Sequence, residues 1–377
     1  MIRYPYRYFF ILGILNAIFG VALWPLSFSG LNIVDDILLF HKVLLVYGFL
    51  LSFVCGFLIT AYPNFTASAR VKNLEWYSMF FGQLLIPVGA IFNNYAVSIL
   101  GVVLNSLTMI YFMINRNLIG KNKLPNSFHY VWLAYFFVCI SVILQLVRLN
   151  FNLEIDDILI TNIFIAGVIL NFIFGVGLKL FPVFLGHNQF VILKNENNFW
   201  QKNKVNLSMS ILNFSLAFDL FQYYKIGNFV RFLVATYLIV DQFKIQKRPN
   251  NGYHGLGIWI ALIFIPIGIL LRTFDRFFVF GIHIFFICGF SLITVLVAGR
   301  VSASHAGHGL EHEKQNKLFI YLIAFAIISG LLRFFPGLSE QISLITFYNF
   351  AFLFWVLFFV IWLSIFFKKL FKPIKEA

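Results

Sequence analysis

Twelve apolar runs, each close to the length of a bilayer-crossing helix, take up nearly the whole chain. They lie near residues 8–28, 38–62, 74–92, 95–114, 127–149 and 157–184, then 205–224, 227–243, 256–272, 277–301, 317–337 and 343–367. In hydrocarbon every backbone amide needs a partner from the chain itself, so only helices and closed barrels can span. Runs of about 20 residues are too long for barrel strands and predict helices. The expectation is an all-α polytopic membrane protein of about twelve helices, forming one transmembrane domain over residues 1–377. The seventh to ninth runs carry the weakest signal, being short or interrupted by Asp219, Arg231 and Pro266. Composition excludes a soluble alternative. Only 11% of residues are charged, against roughly 25% in soluble domains.

The net charge of +14 would suit nucleic acid if it formed a patch, but the basic residues sit in short clusters between apolar runs. With the N-terminus placed in the cytoplasm, Lys and Arg divide 21 inside against 7 outside. This bias predicts that both termini lie in the cytoplasm. The first run exceeds the core of a signal peptide and reads as a retained helix. Cys55, Cys139 and Cys288 all fall in apolar runs and read as packing residues.

A spacing repeats along the chain. Gly48-x7-Gly56-x6-Pro63 matches Gly167-x7-Gly175-x6-Pro182, and Gly281-x7-Gly289 follows with Leu296 at the proline position. The offsets correspond to four helices, which predicts three four-helix repeats, about 1–120, 121–250 and 251–377, around a pseudo-threefold axis. Glycines eight apart lie near one helix face and let a neighbouring backbone or a flat ligand approach.

Histidines in apolar runs are the sharpest chemical signal, because an ionisable group in hydrocarbon is unfavourable without a partner. His41 opens the second helix and His283 the tenth, each near a glycine-marked stretch. Neutral imidazole is a good axial ligand for haem iron, and the Gly48 face leaves room for a macrocycle. A histidine hydrogen-bonded to a neighbouring helix accounts for the same residues, as does a headgroup position for His41. The glycine register sets His283 nine residues, or ~13 Å, deeper than His41. The loop after the tenth helix holds His305, His308 and His312 with Glu311 and Glu313. It offers a weak transition-metal pattern, and a solvated loop explains it as well. His129 and His254 read as interfacial. Asn105, Asn171, Gln83 and Gln145 read as interhelical hydrogen-bonding groups.

Three segments resemble the NnrS family of haem- and copper-containing membrane proteins of denitrification and nitric-oxide stress. They are Tyr6-Arg7-Tyr8-Phe9-Phe10, His41 through Asn64 with its Gly56-Phe57-Leu58-Ile59-Thr60-Ala61-Tyr62-Pro63-Asn64 ending, and His283 through His305. The resemblance implies haem as cofactor, nitric oxide as a ligand or substrate, and His41, His283 and His305 as metal-ligand candidates. Val43 and Leu44 stand where the family has a second histidine and a glutamate, which sets bound copper in question. No catalytic residue and no soluble partner can be named. The rival class is a cofactor-free transporter of a small molecule, built from rocking repeats.

The charge asymmetry has a direct check. Reporter fusions at Lys121, Lys247 and Lys372 should report cytoplasm, and fusions at Asp35, Glu154 and Glu340 the outer side. A consistent reversal would overturn the orientation.

Overall fold

The computed structural model describes residues 5–151, 155–187, 199–309, 311–338 and 343–371. Among these residues the chain is all-α. Twelve long helices follow one another: α1 (Tyr6–Phe28), α2 (Ile37–Thr66), α3 (Asn73–Ile91), α4 (Tyr95–Ile119), α5 (His129–Phe151) and α6 (Asp157–Phe184). Then come α7 (Phe199–Phe214), α8 (Tyr224–Phe243), α9 (Gly252–Leu271), α10 (Asp275–His305), α11 (Leu318–Phe334) and α12 (Leu344–Phe371). Ten are long and apolar enough to cross a membrane; α3 and α7 fall outside that set. The three weakly signalled runs all form helices. Helix α7 breaks at Ser215 and continues as the short helix Leu216–Leu220.

Local chemistry sets several boundaries. The Asp36 carboxylate accepts the Leu39 amide at 2.9 Å and starts α2, while the Asn94 side chain accepts from Val97 and starts α4. Helix α2 stops at Ala67, which turns into the left-handed region at φ 49°. Prolines 25, 63, 87, 182 and 266 sit inside helices, where hydrocarbon surroundings and packed neighbours tolerate them.

The chain packs as two compact units. The first comprises Met1–Asn126, Val297–Gly307 and Tyr348–Ala377. Here α3 and α4 cross at Gly82 and Gly101, each of which lies against the other's carbonyl oxygen with no room for a Cβ. Helix α12 lies along α1 and α2 through aromatic side chains. Phe49 meets Trp355 and Phe359 edge-on, Phe10 and Phe53 meet Trp362, and Trp355 donates its indole N–H to Ala17 O at 2.9 Å. The second unit comprises Ser127–Leu296 and His308–Phe347. In it α5 packs on α6, α8 on α7 and α9, and α10 on α9 and α11. The polar amides pair between helices as their positions suggest: Ser52 donates to Gln83, and Asn171 to Asn213 at 2.6 Å.

In the first unit, one ion pair is sealed from solvent. The Arg116 guanidinium of α4 donates to both carboxylate oxygens of Glu75 on α3, at 2.7 and 2.6 Å. It also donates to Ala69 O and Arg70 O, so it holds the α2–α3 loop as well. Glu75 accepts the Lys72 amide, completing a cap for α3. Removing one partner of such a pair leaves a bare buried charge. Glu75→Ala should therefore cost roughly 3–5 kcal/mol in detergent unfolding. Asp275→Ala, which breaks an exposed pair with Lys225, should cost no more than about 1 kcal/mol.

Candidate functional site

The second, sixth and tenth helices share an unusual construction. Each begins with six α-helical residues (Ile37–Lys42, Asp157–Asn162, Phe278–His283), passes through eight π-helical ones, and returns to α-helix. The π stretches are Val43–Leu50, Ile163–Leu170 and Ile284–Ser291, offset by 120 and 121 residues. π-Helix is rare, hydrogen-bonds less favourably than α-helix and gathers at functional sites. The recurrence also gives a register for comparing the helices. Gly48 is sixth in its π stretch and so is Gly289, whereas the spacing read from sequence pairs Gly48 with Gly281. In the π register His41 and His283 stand one residue apart along their own helices, not nine. His283 thus stands immediately before its π stretch, as Asn162 does in α6, and His41 stands one residue earlier, ahead of Lys42.

The seat of His41 follows from small residues on α1 and α2. A Cβ at Gly20 would lie 2.9 Å from Leu44, one at Gly48 2.9 Å from Asn16, and one at Gly56 2.7 Å from Phe10. These contacts draw α1 against α2 along its length, and they bring Gly20 O within 2.8 Å of His41 Nδ1. Only an Nδ1–H can donate to that carbonyl, so the lone pair of the neutral ring belongs to Nε2. The Trp24 ring lies edge-on at 6.1 Å. Gly48 itself is taken up by Asn16, so its open face serves helix contact. Gly281 and Gly289 also face helices, against Gly268 O and Ile265.

His283 has the same tautomer for two reasons. Its Nδ1 lies 3.0 Å from Val279 O, and Arg333 Nη2 lies 2.9 Å from its Nε2. A guanidinium can only donate, so Nε2 is the acceptor. His305, at the end of α10, points Nδ1 at Val301 O at 2.9 Å and packs against the Tyr6 ring at 5.3 Å. All three histidines are half-buried. His41 and His305 belong to the first unit and His283 to the second.

The remaining histidines divide. His129 is exposed, with its ring tilted against that of Tyr130. His254 is buried in the helix packing: it is 1% exposed, lies between the Phe184 and Phe319 rings, and places Nε2 3.2 Å from Leu296 O. Its short α9 lead-in places it inside the helix packing, which a run boundary read from hydropathy does not reveal. The side chains of Glu311 and His312 lie outside the described residues. Among the described residues no three His, Cys, Asp or Glu side chains come together as a metal group.

Sequence reasoning missed a second polar set. Asn162, Asp219, Asn228, Arg231 and Arg272 are buried together in the second unit. In the sequence Asp219 and Arg231 register only as interruptions of weak apolar runs. Their opposite charge, twelve residues apart across a helical turn, was the available signal.

The chain matches the family described as NnrS protein over residues 1–373. It belongs to that family. No curated protein matches it. A family match across this length agrees with the twelve-helix fold and makes the chain a multi-pass membrane protein of the NnrS type.

The packing of α1 on α2 supports the His41 seat, and it can be disturbed at a distance. Gly48→Leu should lower stability by about 1–3 kcal/mol, because Asn16 occupies the space the side chain needs. An unchanged melting temperature would show that Gly48 faces lipid.

Proposed function

We propose that the chain is a haem-binding membrane protein of the nitric-oxide response, with His41 and His283 as iron ligands through Nε2 and His305 as a weaker third candidate. The observation that carries this reading is the shared hydrogen bond: each of the three donates Nδ1–H to a backbone carbonyl. A ring held in that way presents Nε2 as a neutral donor and has its orientation fixed, as haem-ligating histidines require. The donor set therefore fits haem. The Gly48 face, filled by Asn16, does not supply the macrocycle contact expected of it.

Bound haem iron would supply the site for nitric oxide, by binding, turnover or electron transfer. The chain's own residues do the positioning. Gly20 O holds His41, Val279 O holds His283, and Arg333 beside His283 Nε2 keeps that nitrogen as the lone-pair end. Iron at Nε2 would take the lone pair that Arg333 holds, and the guanidinium would then stand as a positive neighbour of the ligand. Copper is weakly supported, because Val43 and Leu44 are buried hydrocarbon at positions where the family carries donor groups. The charge bias favours cytoplasmic termini, membership of the NnrS family favours the bacterial inner membrane, and the recurring α–π–α helices favour three repeats.

The test is the absorption spectrum of protein purified from cells making ample haem. His41→Ala and His283→Ala should each reduce or shift the Soret band, while His129→Ala, at an exposed position, leaves it unchanged. A normal spectrum in both variants would keep the haem and reject the ligands. A colourless wild-type protein would reject the haem and favour a cofactor-free transporter.

A further inference from the structure

In the second unit, five side chains close a hydrogen-bonded ring that joins α6, the short helix Leu216–Leu220, α8 and the end of α9. Arg231 donates from Nη2 to Asp219 and from Nη1 to Asn228 Oδ1 at 3.0 Å. Asn228 donates to Arg272 O, Arg272 Nη2 to Asn162 Oδ1 at 2.7 Å, and Asn162 Nδ2 to Asp219 Oδ1 at 3.1 Å. All five residues are at most 1% exposed. Gly227 lies against Asp219 and Arg231, where any side chain would crowd them.

The charges in this ring do not balance. It holds two guanidinium groups and one carboxylate. Arg231 is the satisfied member, since Asp219, Ser215 Oγ, Ser215 O and Asn228 take its donors. Arg272 reaches the carboxylate only through the neutral amide of Asn162. Its Nη1 makes a long 3.4 Å contact to Phe278 O, its plane covers the Phe278 ring at 4.1 Å, and its buried Nε has no acceptor among the described residues. Arginine cannot shed its proton to escape the cost of burial. An uncompensated cation in so dry a place requires a counter-charge.

The other described carboxylates nearby are already engaged. Asp156 is half-exposed and accepts from the Tyr224 hydroxyl and the Ile158 amide. Asp157 pairs with Arg148 and Asp275 with Lys225. None of the three forms an ion pair with Arg272 among the described residues. Arg272 follows directly on the last turn of α9 yet is only 1% exposed, so bulk water does not reach it to replace the missing partner.

We infer that the Nε edge of Arg272 binds a small monovalent inorganic anion of chloride or nitrate size, which neutralises the ring. Phe278 walls the site on one face, and the amide of Asn162 holds the guanidinium in place. The bound anion ties together helices that the ring alone leaves with a surplus positive charge. The site is independent of whether the histidines hold haem.

The experiment uses the full chain in detergent, with sodium gluconate replaced by chloride or nitrate at constant ionic strength. The melting temperature should rise saturably, by about 5 °C. Radiolabelled chloride should bind at about one per chain in equilibrium dialysis and be displaced by nitrate. Arg272→Met, which removes the surplus charge, should abolish both responses. Glu154→Gln, at a carboxylate outside the described residues, should leave them unchanged. Wild-type protein that binds no chloride and melts identically in all three salts would overturn the site. So would an Arg272→Met protein that keeps the wild-type response, or an anion response that appears only in Glu154→Gln.

Discussion

A polar group inside hydrocarbon has no water to fall back on, so each one in these helices must be answered by another part of the chain. The Glu75–Arg116 and Asn171–Asn213 pairs meet that demand, and the ring around Asp219 meets it for every member except Arg272, whose Nε has no acceptor among the described residues. They also join helices that greasy contact alone would position loosely, because lipid tails compete with leucine and phenylalanine for the same surfaces. Large apolar side chains such as Leu74 and Phe214 remain 81% and 74% exposed, as expected where lipid is the solvent.

The same demand explains how the candidate ligands are held. A histidine in such surroundings needs a partner for its N–H, and the nearest strong acceptor is a backbone carbonyl. Within α10 the partner is four residues back, as Val279 is for His283 and Val301 for His305. For His41 it comes from α1, and glycines at 20, 48 and 56 are what let α1 approach closely enough. A π stretch begins directly after His283, and after His41 with only Lys42 between. A family of haem-associated membrane proteins and a set of rings with Nε2 as donor point in one direction by separate routes. On the haem reading proposed above, function would rest on the orientation of a few imidazoles by ordinary helix packing.

Much was legible without coordinates. Runs of about 20 apolar residues can satisfy their backbone only as helices, so the twelve helices and their order follow from hydropathy alone. The glycine spacing marked α2, α6 and α10 as alike, and the structure gives those three helices the same α–π–α build. Sequence spacing nevertheless paired Gly281 with Gly48, because it has no access to where a helix widens. The burial of His254 was illegible for a similar reason: hydropathy finds a run's end but not whether neighbouring helices cover it.

What the sequence determined by itself was therefore the class of fold and the family, and it supplied the short roster of histidines proposed as ligands. Each depends on local residue chemistry and length. Tertiary structure alone decided which carbonyl each histidine meets, that Asn16 fills the Gly48 face, and that Arg272 is buried beside Arg231 with one aspartate between them. Those outcomes depend on residues as far apart as Asn162 and Arg272, brought together by helix packing that no local pattern encodes.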